Sequence, residues 1–147
     1  MIWRKFTSKP RKRRKKGEIT KLKEKQKLWE LCKKLTRAKF GLPDGTWVCY
    51  TSGKPIVFPK DAHTGHFIPS SLCSVELRYD LKNLRIQSYD QNINKNGNSL
   101  QFERNLIRDH GQAYVDELWN RNEATKGKVY PPSWLEDRIK LYEAMLL

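Results

Sequence analysis

The chain has 147 residues and a formal net charge of +14, from 30 Lys or Arg against 16 Asp or Glu. That is one domain's worth of chain with a modest core, and at 37% hydrophobic residues part of it is expected to lie outside that core. No stretch approaches the roughly 18 apolar residues of a membrane span, and no apolar run follows the N-terminal charges, so neither a membrane protein nor a signal peptide is expected.

The charge is unevenly spread. Residues 1 to 39 hold 17 Lys/Arg and 3 Asp/Glu, a net of +14, and residues 40 to 147 hold 13 of each, a net of zero. This describes a neutral body with a cationic arm rather than a uniformly basic globule. Nine basic residues from Arg4 to Lys16 precede the first acid, Glu18. Such a run, with Arg11, Lys12, Arg13, Arg14, Lys15 and Lys16 at its centre, neutralises nucleic-acid phosphates whatever their sequence. If about six phosphates were engaged, affinity would fall roughly a thousandfold between about 50 and 200 mM salt. A solvated tail or a targeting signal is the bland alternative. Cys32, Cys49 and Cys73 form neither a CxxC pair nor an even disulfide set, which fits a reducing compartment, the cytoplasm.

In chain order, residues 1 to 17 are expected to be a disordered arm, because they carry Pro10, Gly17 and the block Arg11 to Lys16, whose charges repel and which lacks apolar residues. Residues 18 to 40 read as a basic amphipathic helix, with Leu28, Leu31, Cys32 and Leu35 on a buried stripe and Ile19, Leu22 and Trp29 on one side. The turn Gly41-Leu42-Pro43-Asp44-Gly45 ends it. Trp47 to Tyr50 and Ile56 to Phe58 read as a hairpin around Thr51 to Lys54, followed by a strand-like piece from Gly65 to Ile68, a loop from Pro69 to Lys82, and Asn83 to Gln87. Helices are expected through Leu100, Phe102, Leu106 and Ile107 to a stop at Gly111, and through Tyr114, Val115, Leu118 and Trp119. A last helix carries Leu135, Ile139, Tyr142 and Leu146, with Ser133 and Glu136 as a capping box. The fold class is α+β, and no internal repeat is evident.

Within this frame His66, Asn83 and Asn92 have the order and spacing of an HNH nuclease, a ββα-metal finger flanked by helices that would occupy residues 41 to 147. A histidine with an ordinary pKa of about 6.5 can take a proton from water at neutral pH, and one divalent cation can neutralise the phosphate and stabilise the leaving 3′ oxygen. His66 is the candidate base. Asn83 would orient it by pinning the surrounding loop, and Asn92 would offer a side-chain oxygen to Mg²⁺ or Mn²⁺. His63 is a second metal-ligand candidate, since it projects to the same side of an extended strand as Gly65, a position where many HNH enzymes carry a ligand. Asp61 and Asn96 are further candidates, and Arg78, Arg85 and Lys95 lie close enough in sequence to hold phosphate.

The stretches His63-Thr64-Gly65-His66-Phe67, Leu77 to Asn83, Asn92 to Asn98 and Phe102 to Ile107 resemble the phage lambda NinG (Rap) family of recombination endonucleases, and the similarity runs over roughly residues 20 to 147. The resemblance implies an HNH fold and metal-dependent cleavage of branched or partly single-stranded DNA, in the cytoplasm of a phage's host. A homodimer would suit cleavage of two strands. Members of that family carry two CxxC pairs that form a zinc site, where this chain has Cys49, Ser52, Ser88 and Gln91. Structural Zn²⁺ is therefore not expected, because tetrahedral sites use several thiolates or imidazoles, and hydrogen bonds or packing must replace it. The competing reading is a catalytically silent module that recognises branched DNA or recruits a partner. RNA binding has little support, since no RNA-binding motif is evident.

Overall fold

Helix α1, Lys16–Phe40, forms because its apolar residues recur at helical spacing: Leu28, Leu31, Cys32 and Leu35 are all buried, while the lysines between them face outward. The computed structural model describes residue 13 and residues 15 to 147, without the side chains of 17 to 20. The expected arm thus falls mostly outside the described residues, as do Arg11, Lys12 and Arg14, whereas Arg13, Lys15 and Lys16 are exposed.

The buried stripe of α1 packs on the last helix, α5 (Pro132–Met145), through Leu135, Ile139 and Tyr142, and both close over Tyr79 and Leu84. Tyr142 Oη donates to the carbonyl of Tyr79 at 2.5 Å, and Tyr142 is thereby tied to the segment beneath it. A second cluster joins Phe67, Ile68 and Leu77 to α3 (Ser99–His110) and α4 (Gln112–Thr125) through Phe102, Leu106, Val115 and Leu118. Gly111 separates these two helices at φ 92°, a left-handed conformation that a glycine adopts without a Cβ penalty.

Between the helical layers lie two antiparallel ribbons. In the first, β1 (Trp47–Val48) pairs with β2 (Pro55–Ile56), shorter than the expected hairpin because Val57 and Phe58 leave the ladder and are exposed. In the second, β3 (Ala62–His66) pairs with β4 (Leu84–Ser88), with His66 opposite Leu84 and Gly65 opposite Arg85. His66 therefore ends the first strand of its own ribbon, and the strand begins three residues earlier than its apolar run suggested. Phe67 and Ile68 lie beyond it, in the core.

The connection from β3 to β4 contains a short helix, α2 (Val75–Arg78), where a loop was expected. Ser74 caps it by accepting from the Leu77 amide. After β4 the chain makes a π-helical turn, Asp90–Asn94, and then Asn96, Gly97 and Asn98 all take positive φ before α3 begins. Two expectations fail at the helix ends. Ser133 does not cap α5, whose N-cap is Pro131 without any side-chain cap bond, because Pro132 at the start of the helix moves Ser133 inside its first turn. Leu100 and Leu146 are exposed at 61% and 41% rather than core residues. Among the described residues no helix is long and apolar enough to cross a membrane.

Candidate functional site

Asn83 is fully buried just before β4. Its Oδ1 accepts from the Ile68 amide at 2.8 Å, and its Nδ2 donates to the carbonyls of Leu77 at 3.1 Å and Ile68 at 3.3 Å. The Phe67 amide in turn donates to the Asn83 carbonyl. One side chain thus stitches the residues that follow His66 to the end of α2, and a short polar amide is needed because it must both donate and accept.

His66 sits on the wall of a cleft of about 690 Å³, which is also lined by Thr64, Asn92 and Arg78, and by Lys25 and Trp29 of α1. Trp29 stacks on the imidazole with ring centroids 5.0 Å apart and planes 12° apart. His66 Nε2 lies 3.0 Å from the carbonyl oxygen of Arg78. A carbonyl only accepts, so Nε2 carries the proton and Nδ1 is left with the lone pair. Burial lowers the pKa of His66 below its usual value. The bond to Arg78 opposes that shift and the Arg78 charge adds to it, so the ring is neutral at pH 7.

His63 and Asn92 come together: Asn92 Nδ2 is 3.3 Å from His63 Nδ1, and Tyr89 meets the His63 ring edge-on at 5.4 Å. Asn92 lies in the π-helical turn, an element that widens a helix locally and recurs at functional sites. Thr64 Oγ1, on the same cleft wall, is buried and has no hydrogen-bond partner among the described residues. With its amide turned to present Oδ1, Asn92 could offer an oxygen, and His63 an imidazole nitrogen, to a divalent cation that completes its shell with water and phosphate oxygens; Thr64, next to His63 on β3, points to the opposite face of the strand. Among the described residues no three His, Cys, Asp or Glu side chains gather to hold a metal ion. Asp61 lies in a 3₁₀ turn before β3, and Asn96 is exposed beyond the π-helical turn.

Gly65 has a steric cause. A Cβ there would stand 1.9 Å from Gln87 Oε1, the side chain of the next residue but one along the facing strand. Gln87 is fully buried, and its Nε2 donates to Thr51 Oγ1 at 3.1 Å and to the Gly97 carbonyl at 2.8 Å.

The same amide belongs to a polar network around Cys49, Ser52, Ser88 and Gln91. Gln91 Oε1 accepts from Thr51 Oγ1 and Asn98 Nδ2, the Ser88 amide donates to Cys49 Sγ at 3.3 Å, and Ser88 Oγ accepts from the Gln91 amide. Burial pushes the Cys49 thiol up, but hydrogen bonds from Ser52 and Ser88 outweigh it and bring the group down to about 7. With one thiol among hydroxyls and amides, these residues do not fit tetrahedral zinc.

The sequence-predicted phosphate ligands separate. Arg78 faces the cleft, donates to the Ser70 carbonyl through Nη2, and has its Nε buried without a partner among the described residues. Lys95 is exposed beyond the π-helical turn. Arg85 is only 3% exposed: it donates to the carbonyls of Lys82 and Leu84, to Tyr114 Oη and to His110 Nε2, and lies over the rings of Phe40 and Tyr50. Its donors are spent inside the fold, because β4 is buried on both faces. Sequence reading missed Trp29 and Lys25 as cleft residues. Their lysine-rich surroundings resembled an outward-facing helix, and nothing local ties them to His66, 37 positions beyond Trp29.

Fold and cleft together define an α+β protein in which a two-stranded ribbon and a following π-helical turn present a neutral histidine, a second histidine and an asparagine beside a basic helix. The chain belongs to the family described as bacteriophage lambda NinG protein, whose model matches residues 3–142, and that family is related to phage recombination. No curated protein and no solved structure matches the chain significantly.

Proposed function

We propose that the protein is an HNH-type endonuclease that hydrolyses phosphodiester bonds of DNA, with branched recombination intermediates as its substrate class. The observation that carries this reading is the His66 ring. It is held by Trp29 and by the Arg78 carbonyl so that a neutral nitrogen with a lone pair, Nδ1, remains, in a cleft that Asn92 also lines. His66 takes a proton from water at Nδ1 as the oxygen attacks phosphorus. Asn83 keeps the residues after His66 in place and so positions the ring without touching substrate. Asn92 and His63 would hold a Mg²⁺- or Mn²⁺-class ion, which when bound neutralises charge on the phosphate and stabilises the leaving 3′ oxygen. Arg78 supplies positive charge in the cleft, Lys95 adds an exposed charge beyond the π-helical turn, and the basic arm and α1 supply sequence-independent affinity for DNA in the host cytoplasm. Two-strand cleavage of a junction would call for a homodimer.

A second reading, a DNA-binding module without catalysis, is favoured by one observation: among the described residues no three His, Cys, Asp or Glu side chains gather as a ready-made metal site. Incubating the full chain with branched and linear DNA, with and without Mg²⁺ or Mn²⁺, beside His66→Ala separates the two. The expected result is metal-dependent nicking that falls by at least a hundredfold in the variant, the usual range for a lost general base. Binding without cleavage under every metal condition would establish the silent module, and cleavage that survives the substitution would remove His66 as the base.

A further inference from the structure

Helix α1 contributes more than affinity. Lys25 and Arg78 converge on the cleft that carries His66, one from α1 and the other from the end of α2, and no Asp or Glu lines that cleft among the described residues. The ion pairs among the described residues engage neither of them. Like charges held together without a counter-ion repel, and the effect is visible on Lys25: burial lowers its pKa first, and the charges of Lys21 and Arg78 lower it further. Arg78 Nε is a buried donor with no acceptor among the described residues. The backbone carbonyl of the same residue accepts from His66 Nε2, and its guanidinium is anchored by Nη2 donating to the Ser70 carbonyl.

We propose that Lys25 and Arg78 together form the seat for the phosphodiester group presented to His66, which makes α1 a wall of the reaction centre and Lys25 a substrate-binding residue. This deepens the nuclease reading and rests on it for the identity of the ligand, but the site itself is an anion site whether or not cleavage occurs. A tetrahedral anion in the cleft meets the Arg78 guanidinium and the Lys25 ammonium at once, relieving their repulsion.

The test is a titration of the full chain with inorganic phosphate, and separately with a thymidine dinucleotide, at constant ionic strength and without divalent metal, followed by NMR at Arg78 Nε–H and the Thr64 and His66 amides. Saturable shifts at these groups are expected, with affinity at least fivefold weaker in Lys25→Gln and unchanged in Lys140→Gln, a charge-matched change on α5. Lys25 is partly exposed on a helix, so its variant should fold even if Arg78→Gln does not. Shifts that grow linearly without saturating, or equal affinity in the Lys25 and Lys140 variants, would overturn the seat. Saturable binding in a protein that cleaves no DNA would leave the seat standing and sink the nuclease, whereas cleavage by Lys25→Gln with unaltered KM and kcat would sink the seat alone.

Discussion

At the scale of single residues, the site is held by groups that each have several partners. Asn83→Ala strands the Ile68 amide and carbonyl and removes one of the donors to the Leu77 carbonyl, at about 1–3 kcal/mol for each unsatisfied group, so a loss of about 2–6 kcal/mol is expected in urea unfolding. Gly65→Ala forces Gln87 out of place and breaks its bonds to Thr51 and Gly97. A cost of about 1–3 kcal/mol is expected, and most of it should vanish in a Gln87→Ala background, where the cycle of four proteins should show strong coupling. His66 makes the fold sensitive to acid. Its folded pKa lies below the unfolded value of about 6.5, so its contribution to stability is intact above that pH and is lost as pH falls from about 6.5 toward the folded pKa. His110, lowered by burial and by Arg85, acts in the same direction. Urea midpoints should therefore drop below pH 6.5, less steeply in His66→Phe. If His66 is the base, the acid limb of the cleavage rate should also lie below pH 6.5.

Among elements, the β3–β4 ribbon and the polar network around Cys49 show what was legible in the sequence and what was not. The order His66, Asn83, Asn92 could be read because each residue acts through a short local segment: a strand end, a strand start and the turn after it. The partner strand of His66 was harder to see, since β4 is buried on both faces and shows no alternation, and the same burial disguised Arg85 as a surface cation. The π-helical turn left no mark, because the hydrogen bond from the Lys95 amide to the Asp90 carbonyl has no compositional signature. The capping box at Ser133 was a false signal, overridden by Pro132. Around Cys49, the expectation that hydrogen bonds stand in for a metal agrees with the network of Thr51, Ser88, Gln91 and Asn98. Dialysis against a chelator should accordingly leave Tm unchanged. Gln91→Ala, which removes the acceptor for Thr51 and Asn98, should lower stability by about 1–3 kcal/mol.

For the whole molecule, the division into a neutral body and a cationic arm carries a prediction about salt. Deleting residues 1 to 17 removes nine Lys/Arg and should weaken DNA binding and flatten its dependence on salt concentration, while an unchanged slope in a binding titration would relocate the phosphate contacts to the body. The link between arm and cleft is not a loose tether. Trp29, which touches His66, and Lys16, where α1 begins, belong to one continuous helix, 13 residues apart. At about 1.5 Å per residue the arm leaves the body about 20 Å from the imidazole. On a duplex that rises about 3.4 Å per base pair, this is a ruler of about six base pairs. A rigid spacer of that length would make the footprint lopsided about the cut. Inserting one helical turn between Lys16 and Lys21 should then shift the protected phosphates outward by a fixed step without moving the cut itself.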